Sequence, residues 1–121
     1  MLLDSNIIIY SYQKEYQELR DFIRKHEPFI SVISYLETLG YHKISVQEKD
    51  YLQRLFSVAK MLSISDTIIQ KATMLRQQRK LSLGDSLIAS TALVHKLTLV
   101  TRNTEDFKWI EKLEFINPID D

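Results

Sequence analysis

The sequence predicts an α/β fold, a three-layer sandwich with helices on both faces of a central parallel sheet of about five strands. Three observations predict it. Short apolar runs alternate with longer stretches of helical periodicity from one end of the chain to the other, an order that builds right-handed β-α-β crossovers. Hydrophobic residues make up 45% of 121 residues, enough for one core, and only 2 Gly and 2 Pro leave no linker to divide it, so residues 1–121 read as a single domain. Polar turn residues follow the apolar runs, with Asp4-Ser5-Asn6 after the first and Arg102-Asn103 after the fourth. In sheets of this kind sites form at the carboxyl ends of the strands.

Met1–Leu3 is the first strand, and Asp4-Ser5-Asn6 breaks it. The run Ile7–Tyr10 is compatible with strand or helix on periodicity alone. Tyr16–Lys25 reads as a helix with Leu19, Phe22 and Ile23 on one face, and Pro28–Ile33 as a buried strand. Ser34–Tyr41 turns helical. Gln47–Lys60 is a clearer helix, with Leu52, Leu55, Phe56 and Ala59 spaced by three and four. Met61–Ile64 is a third strand, and Asp66–Lys80 a helix with Ile68, Ile69, Ala72 and Leu75 on one face. Gly84 precedes a helix over Asp85–His95, whose Ile88, Ala89 and Ala92 suit close packing on a sheet. Leu97–Thr101 is the fourth strand, Thr104–Lys112 a short helix, and Leu113–Ile116 the last strand before Pro118.

Composition excludes several classes of function. Without Cys there are no disulfides, thiolate zinc sites or cysteine nucleophiles, which fits a reducing, cytoplasmic setting. No apolar run reaches the roughly 18 residues of a membrane span, and no basic region precedes the first apolar stretch, so no membrane association is expected. Sixteen Lys+Arg balance sixteen Asp+Glu, which argues against nucleic-acid binding by bulk charge. It leaves room for a nuclease, whose acidic metal site offsets basic residues elsewhere. No Walker A loop, G-x-G-x-x-G or G-x-S-x-G occurs. The histidines His26, His42 and His95 lack metal-ligand spacing and read as surface or satisfied residues.

Four acids are the candidate chemistry: Asp4, Glu37, Asp85 and Asp106. Carboxylates gathered in one place raise each other's pKa, and a hard cation such as Mg²⁺ or Mn²⁺ is the usual remedy. Each also has an ordinary reading. Asp4 suits a turn or helix cap. Glu37, three residues after Ser34, matches a capping box. Asp85 suits a helix start, although its neighbours at i+3, i+4 and i+7 are apolar and place it on the sheet-facing side. Asn103 and Asp106 form a cap-like pair, and Asp66 reads as a helix cap. Arg76, Arg79 and Lys80 end a helix where cations are favoured, and could also touch phosphates. Tyr10, Tyr12 and Tyr35 suit core or interface roles better than base stacking.

Taken in order, these segments resemble the PIN-domain nucleases, specifically the small VapC-type toxins of bacterial toxin–antitoxin pairs. Leu2-Leu3-Asp4-Ser5-Asn6 is similar to the first-strand motif, an apolar run ending in D-[ST]-N, and Ser31–Glu37 to the Ser-led second motif with its Glu. Gly84–Ala92 matches D-x-x-I-A-[AS]-T-A, and Leu99–Phe107 matches L-V-T-R-N-x-x-D-F. The resemblance spans essentially the whole chain. It implies metal-assisted endoribonuclease chemistry in which Asp4, Glu37 and Asp85 hold Mg²⁺ or Mn²⁺, with Asp4 and Asp85 as primary ligands. Some members carry the fourth acid where this chain has the neutral Asn103, so Asp106, with Asn103 and Thr101, is expected to orient a second metal or the attacking water. Ser5 and Asn6 are expected to hold the loop around Asp4, and Arg102 to bind the scissile strand or pair with an acid. The resemblance also implies a homodimer silenced by a cognate antitoxin. A receiver-like signalling domain, a housekeeping RNA-processing nuclease and a PIN-like module that binds RNA or protein without catalysis are the alternatives.

Overall fold

The computed structural model describes residues 1–119; Asp120 and Asp121 of the expected domain lie outside the described residues. Five strands, β1 (Leu2–Leu3), β2 (Phe29–Ser31), β3 (Lys60–Leu62), β4 (Leu99–Val100) and β5 (Phe115–Ile116), form one sheet in the order β3-β2-β1-β4-β5. Every pairing is parallel, with Leu2 opposite Phe29 on one side and Leu99 on the other. The helices are α1 (Ser5–Tyr12), α2 (Gln17–His26), α3 (Val32–Leu39), α4 (Val46–Val58), α5 (Asp66–Gln78), α6 (Leu83–His95) and the single turn α7 (Thr104–Phe107). The α/β sandwich with a five-stranded parallel sheet is as expected.

β1 is the central strand, and its two residues show why the sheet is covered on both faces. Successive strand side chains point to opposite faces. Leu2 enters a core with Leu75, Ile88, Ala89, Leu99 and Phe107, from α5, α6, β4 and α7. Leu3 enters a second core with Ile7, Ile8, Leu19, Ile23, Leu52 and Val100, from α1, α2, α4 and β4. Both leucines are fully buried. Among the described residues no helix is long and apolar enough to cross a membrane.

The open run Ile7–Tyr10 is helical. Ile7 and Ile8 are fully buried in the second core, and that burial outweighs the β-propensity of three consecutive isoleucines. Other boundaries differ from expectation. The second strand stops at Ser31, whose Oγ accepts the Ile33 amide and caps α3, so the helix starts before Ser34. The helix start expected after Gly84 is also displaced. Ser82 is the cap of α6, its Oγ accepting the Asp85 amide at 3.1 Å, and Gly84 lies inside the first turn. Ser65, rather than Asp66, caps α5. The helix expected over Thr104–Lys112 is limited to Thr104–Phe107, and the chain reaches a positive φ of 69° at Lys112 before β5. Strand and helix ends elsewhere shift by at most two residues, as boundaries commonly do.

Candidate active site

Asp4 is the first residue beyond β1, and Thr101 the first beyond β4, on adjacent parallel strands. The pairing continues past the strand end, because the Asp4 amide donates to the Val100 carbonyl at 2.9 Å. That register places the Thr101 hydroxyl beside the Asp4 carboxylate, and Thr101 Oγ1 donates to Asp4 Oδ2 at 2.8 Å. Thr101 Oγ1 also accepts the Asn103 amide at 3.0 Å, so the hydroxyl's direction is settled from both sides. Asp4 is only 3% exposed. Burial pushes its carboxyl up from 3.8 to about 6, against the lowering effect of the Thr101 bond; the negative charges of Asp85 and Glu37 push the same way as burial.

Glu37 projects from α3 and meets α1 and α6. Ser5 Oγ donates to Glu37 Oε1 at 2.7 Å and lies 2.8 Å from the Ser34 hydroxyl. Ser34 and Glu37 are therefore not a capping box: both lie inside α3, Ser31 holds the cap position, and the Glu37 carboxylate is turned to Ser5. On its other side that carboxylate lies directly on the α-carbon of Gly84. A Cβ at position 84 would collide with Glu37 Oε2. Glycine is a poor helix residue, and here its missing side chain is what lets Glu37 approach α6.

Asp85 stands one residue further along α6, half-buried, with its carboxyl raised from the usual value. Burial is the largest cause, opposed by a hydrogen bond from the Ser82 hydroxyl to the carboxyl and reinforced by the charges of Asp106 and Glu37. Asp106 lies on α7, exposed, its amide bonded to the Asn103 carbonyl. The Asn103 side chain makes no cap bond, so the expected cap-like pair is held through backbone alone. The four acids thus share one edge of the sheet, at its carboxyl end, and act electrostatically on one another. None forms an ion pair with a described residue. Among the described residues no three of them are drawn tightly enough together to make a ready ion cage.

The remaining sequence candidates divide. Ser5 holds Glu37 as described. Asn6 is exposed, and its side chain bonds to no other side chain among the described residues. Arg102 lays its guanidinium 4.8 Å from the centre of the Tyr10 ring and donates to the Tyr16 hydroxyl at 3.3 Å. His26 and His42 are exposed and pack on Phe22 and Tyr41, and His95 is exposed at the end of α6. A cavity of about 370 Å³ lies between α2 and α4, lined by Leu3, Ile23, Ile30 and Tyr51 among others, and none of the four acids lines it. Gly84 is the one contributor that residue chemistry alone would overlook; its signal is a glycine in the first turn of a helix.

The sequence pattern of the PIN domain matches residues 1–113. The chain belongs to the PIN-domain family. This PIN domain is 32% identical over 123 residues to Ribonuclease VapC10 of Mycobacterium tuberculosis (strain CDC 1551 / Oshkosh), an overlap covering 94% of this chain and 90% of the relative. Its fold is similar to a toxin–antitoxin complex from Klebsiella pneumoniae, with a TM-score of 0.79, 29% identity and coverage of 99% and 98% of the two chains. It is also similar to VapBC2 from Rickettsia felis bound to a DNA fragment from its promoter, with a TM-score of 0.84, 25% identity and coverage of 96% of each chain.

Proposed function

We propose that this PIN domain is an endoribonuclease, the toxin of a type II toxin–antitoxin pair, and that it requires Mg²⁺ or Mn²⁺. The observation that carries the metal requirement is Asp4, a carboxylate almost wholly removed from water with no cation paired to it among the described residues. An uncompensated buried charge is costly. An all-oxygen set of carboxylates is the donor chemistry of a hard divalent cation. Asp4 and Asp85 would hold it, with Glu37 completing the site. Such a cation supplies Lewis-acid polarisation of the phosphodiester and neutralises charge developing in the transition state.

The chain's own groups supply orientation. Thr101 fixes the rotamer of Asp4, and Ser5 fixes that of Glu37, the kind of outer contact that holds ligating carboxylates in place. Asp106 and Asn103, at the start of α7, would orient the water whose oxygen attacks phosphorus. A P–O bond to that oxygen forms as the P–O bond to the leaving nucleoside oxygen breaks, and the water's proton has carboxylate acceptors within the cluster. The likeness to a ribonuclease and to toxin–antitoxin complexes supports RNA as substrate and a cognate antitoxin as partner. A homodimer working in the cytoplasm completes this reading.

The absence of a ready ion cage among the described residues favours a second reading, a PIN-like module that binds RNA or protein without cutting. Incubating structured RNAs with wild type and Asp4→Asn, each in Mg²⁺, Mn²⁺ or EDTA, separates the two. Metal-dependent cleavage lost in the variant supports the nuclease. No cleavage of any RNA, with no metal-induced rise in melting temperature, supports the binding module.

A further inference from the structure

The basic end of α5 takes no part in the proposed reaction, and the fold gives its cations different tasks. Arg76 Nε donates to the Leu81 carbonyl at 3.1 Å and ties down the turn into α6. Arg79, the residue that closes α5, lays its guanidinium over the Trp109 indole, 5.2 Å from the ring centre. Trp109 packs against the core of Leu2, Ile88 and Leu99 and donates Nε1 to the Asp106 carbonyl at 2.9 Å. Asp106 in turn lies within electrostatic reach of Asp85. Arg79 is exposed, so the pair forms a cationic rim beside the acid cluster, on the side of α6 and α7.

An edge carrying four acids repels a polyanion, and the chain as a whole has no net positive charge to offset that. A strand reaching the acids therefore needs a local cation. A lysine would serve as a point charge. A guanidinium held over an indole offers more: its own planar face, on which an unpaired base can stack, and N–H groups for the adjoining phosphate. We propose that Arg79, held in place by Trp109, binds an unpaired nucleotide of the RNA strand that flanks the scissile bond. This rests on the ribonuclease reading above, and it makes unpaired RNA the preferred substrate at that flank. The competing account is that the pair only fastens the α5–α6 turn to α7.

The test measures binding of a short fluorescein-labelled RNA of mixed sequence, single-stranded or annealed to its complement, by full-length Asp4→Asn protein in Mg²⁺ across a salt series. Arg79→Ala and Arg79→Lys are compared in that background. Arg79→Ala should weaken single-strand binding about tenfold, as loss of one base stack predicts. It should weaken duplex binding less, and lower the slope of log Kd against log salt by about one. Arg79→Lys should keep the slope yet bind the single strand more weakly than the parent. Melting temperatures should stay within about 2 °C, because an exposed substitution alters stability little. Parent-like binding by Arg79→Ala overturns the proposal. So does an equal loss for single strand and duplex accompanied by a lowered melting temperature, the signature of a structural clamp. A parent protein that binds no RNA, with a wild type that cleaves none, overturns the ribonuclease reading and this proposal with it.

Discussion

Replacing Asp4 with Asn removes a charge that the fold holds out of water, and the effect on metal-free stability can be worked from the structure. Asp4 has its carboxyl raised from 3.8 to about 6, chiefly by burial. Below 3.8 the group is protonated in folded and unfolded chain alike, so it imposes no pH-dependent penalty. Between 3.8 and about 6 the folded chain keeps a proton that the unfolded chain has released, and stability falls as pH rises. Above about 6 the loss is complete. At about 1.36 kcal/mol per pKa unit it amounts to about 3 kcal/mol. Asn is nearly isosteric and neutral throughout, and its Oδ1 can still accept the Thr101 bond. Its Nδ2 is a new buried donor, which returns about 1 kcal/mol of that gain. In EDTA at pH 8 the variant should therefore be more stable than wild type by about 1–3 kcal/mol, a rise of roughly 4 °C in melting temperature per kcal/mol for a chain of this size. The difference should shrink towards pH 4. Urea and thermal melts followed by far-ultraviolet circular dichroism read it directly. Adding Mg²⁺ should then raise the wild type and leave the variant nearly unmoved. A variant no more stable than wild type at pH 8, or a gain of equal size at pH 4 and pH 8, would refute the idea that a buried, uncompensated charge resides at Asp4.

Gly84→Ala should separate stability from activity: alanine favours the helix by about 1 kcal/mol, yet its Cβ meets the Glu37 carboxylate. The melting temperature should hold or rise while RNA cleavage drops at least about tenfold, a misplaced ligand being worth that much; undiminished cleavage would show that Glu37 can move freely. Thr101→Val keeps the shape and deletes the hydroxyl that Asp4 accepts, so it should destabilise the metal-free protein by about 1–3 kcal/mol at pH 8 and by less near pH 4. Denaturation at the two pH values checks that dependence. Ser90 Oγ is buried without a partner among the described residues, so Ser90→Ala should be neutral or stabilise by about 1 kcal/mol; a clear destabilisation in urea melts would show that the hydroxyl is satisfied after all.

The parallel sandwich was legible because its signals are local and repeated. The spacing in Gln47–Lys60 and the apolar stretch over Leu97–Thr101 each declare one element, and their alternation allows few topologies. Two of the misread boundaries share one cause. Ser31 and Ser34, or Ser65 and Asp66, are chemically similar caps, and which of them starts the helix depends on where the preceding strand stops pairing. Ile7–Tyr10 was ambiguous because a β-branched run has no intrinsic choice at that length, and burial under α2 and α4 decided it. Asn6 follows Ser5 on α1, where one residue along a helix turns a side chain about 100° away, so the sequence alone did not show that the two face differently.

The residue types and their order thus already contained the fold class, the family and the four acids, because hydrophobic period and motif spacing are properties of the chain read along its length. The tertiary structure decided the rest. It set Thr101 against Asp4 through the register of two strands far apart in sequence, and turned Glu37 from a cap into a partner of Ser5. It made the absent side chain of Gly84 a requirement of the site, and it placed Arg79 on Trp109 at the rim of the acid cluster. Burial, apposition and electrostatic coupling exist only between segments that folding brings together. The same Asp4 is an ordinary turn residue in the unfolded chain and a carboxylate starved of water in the folded one.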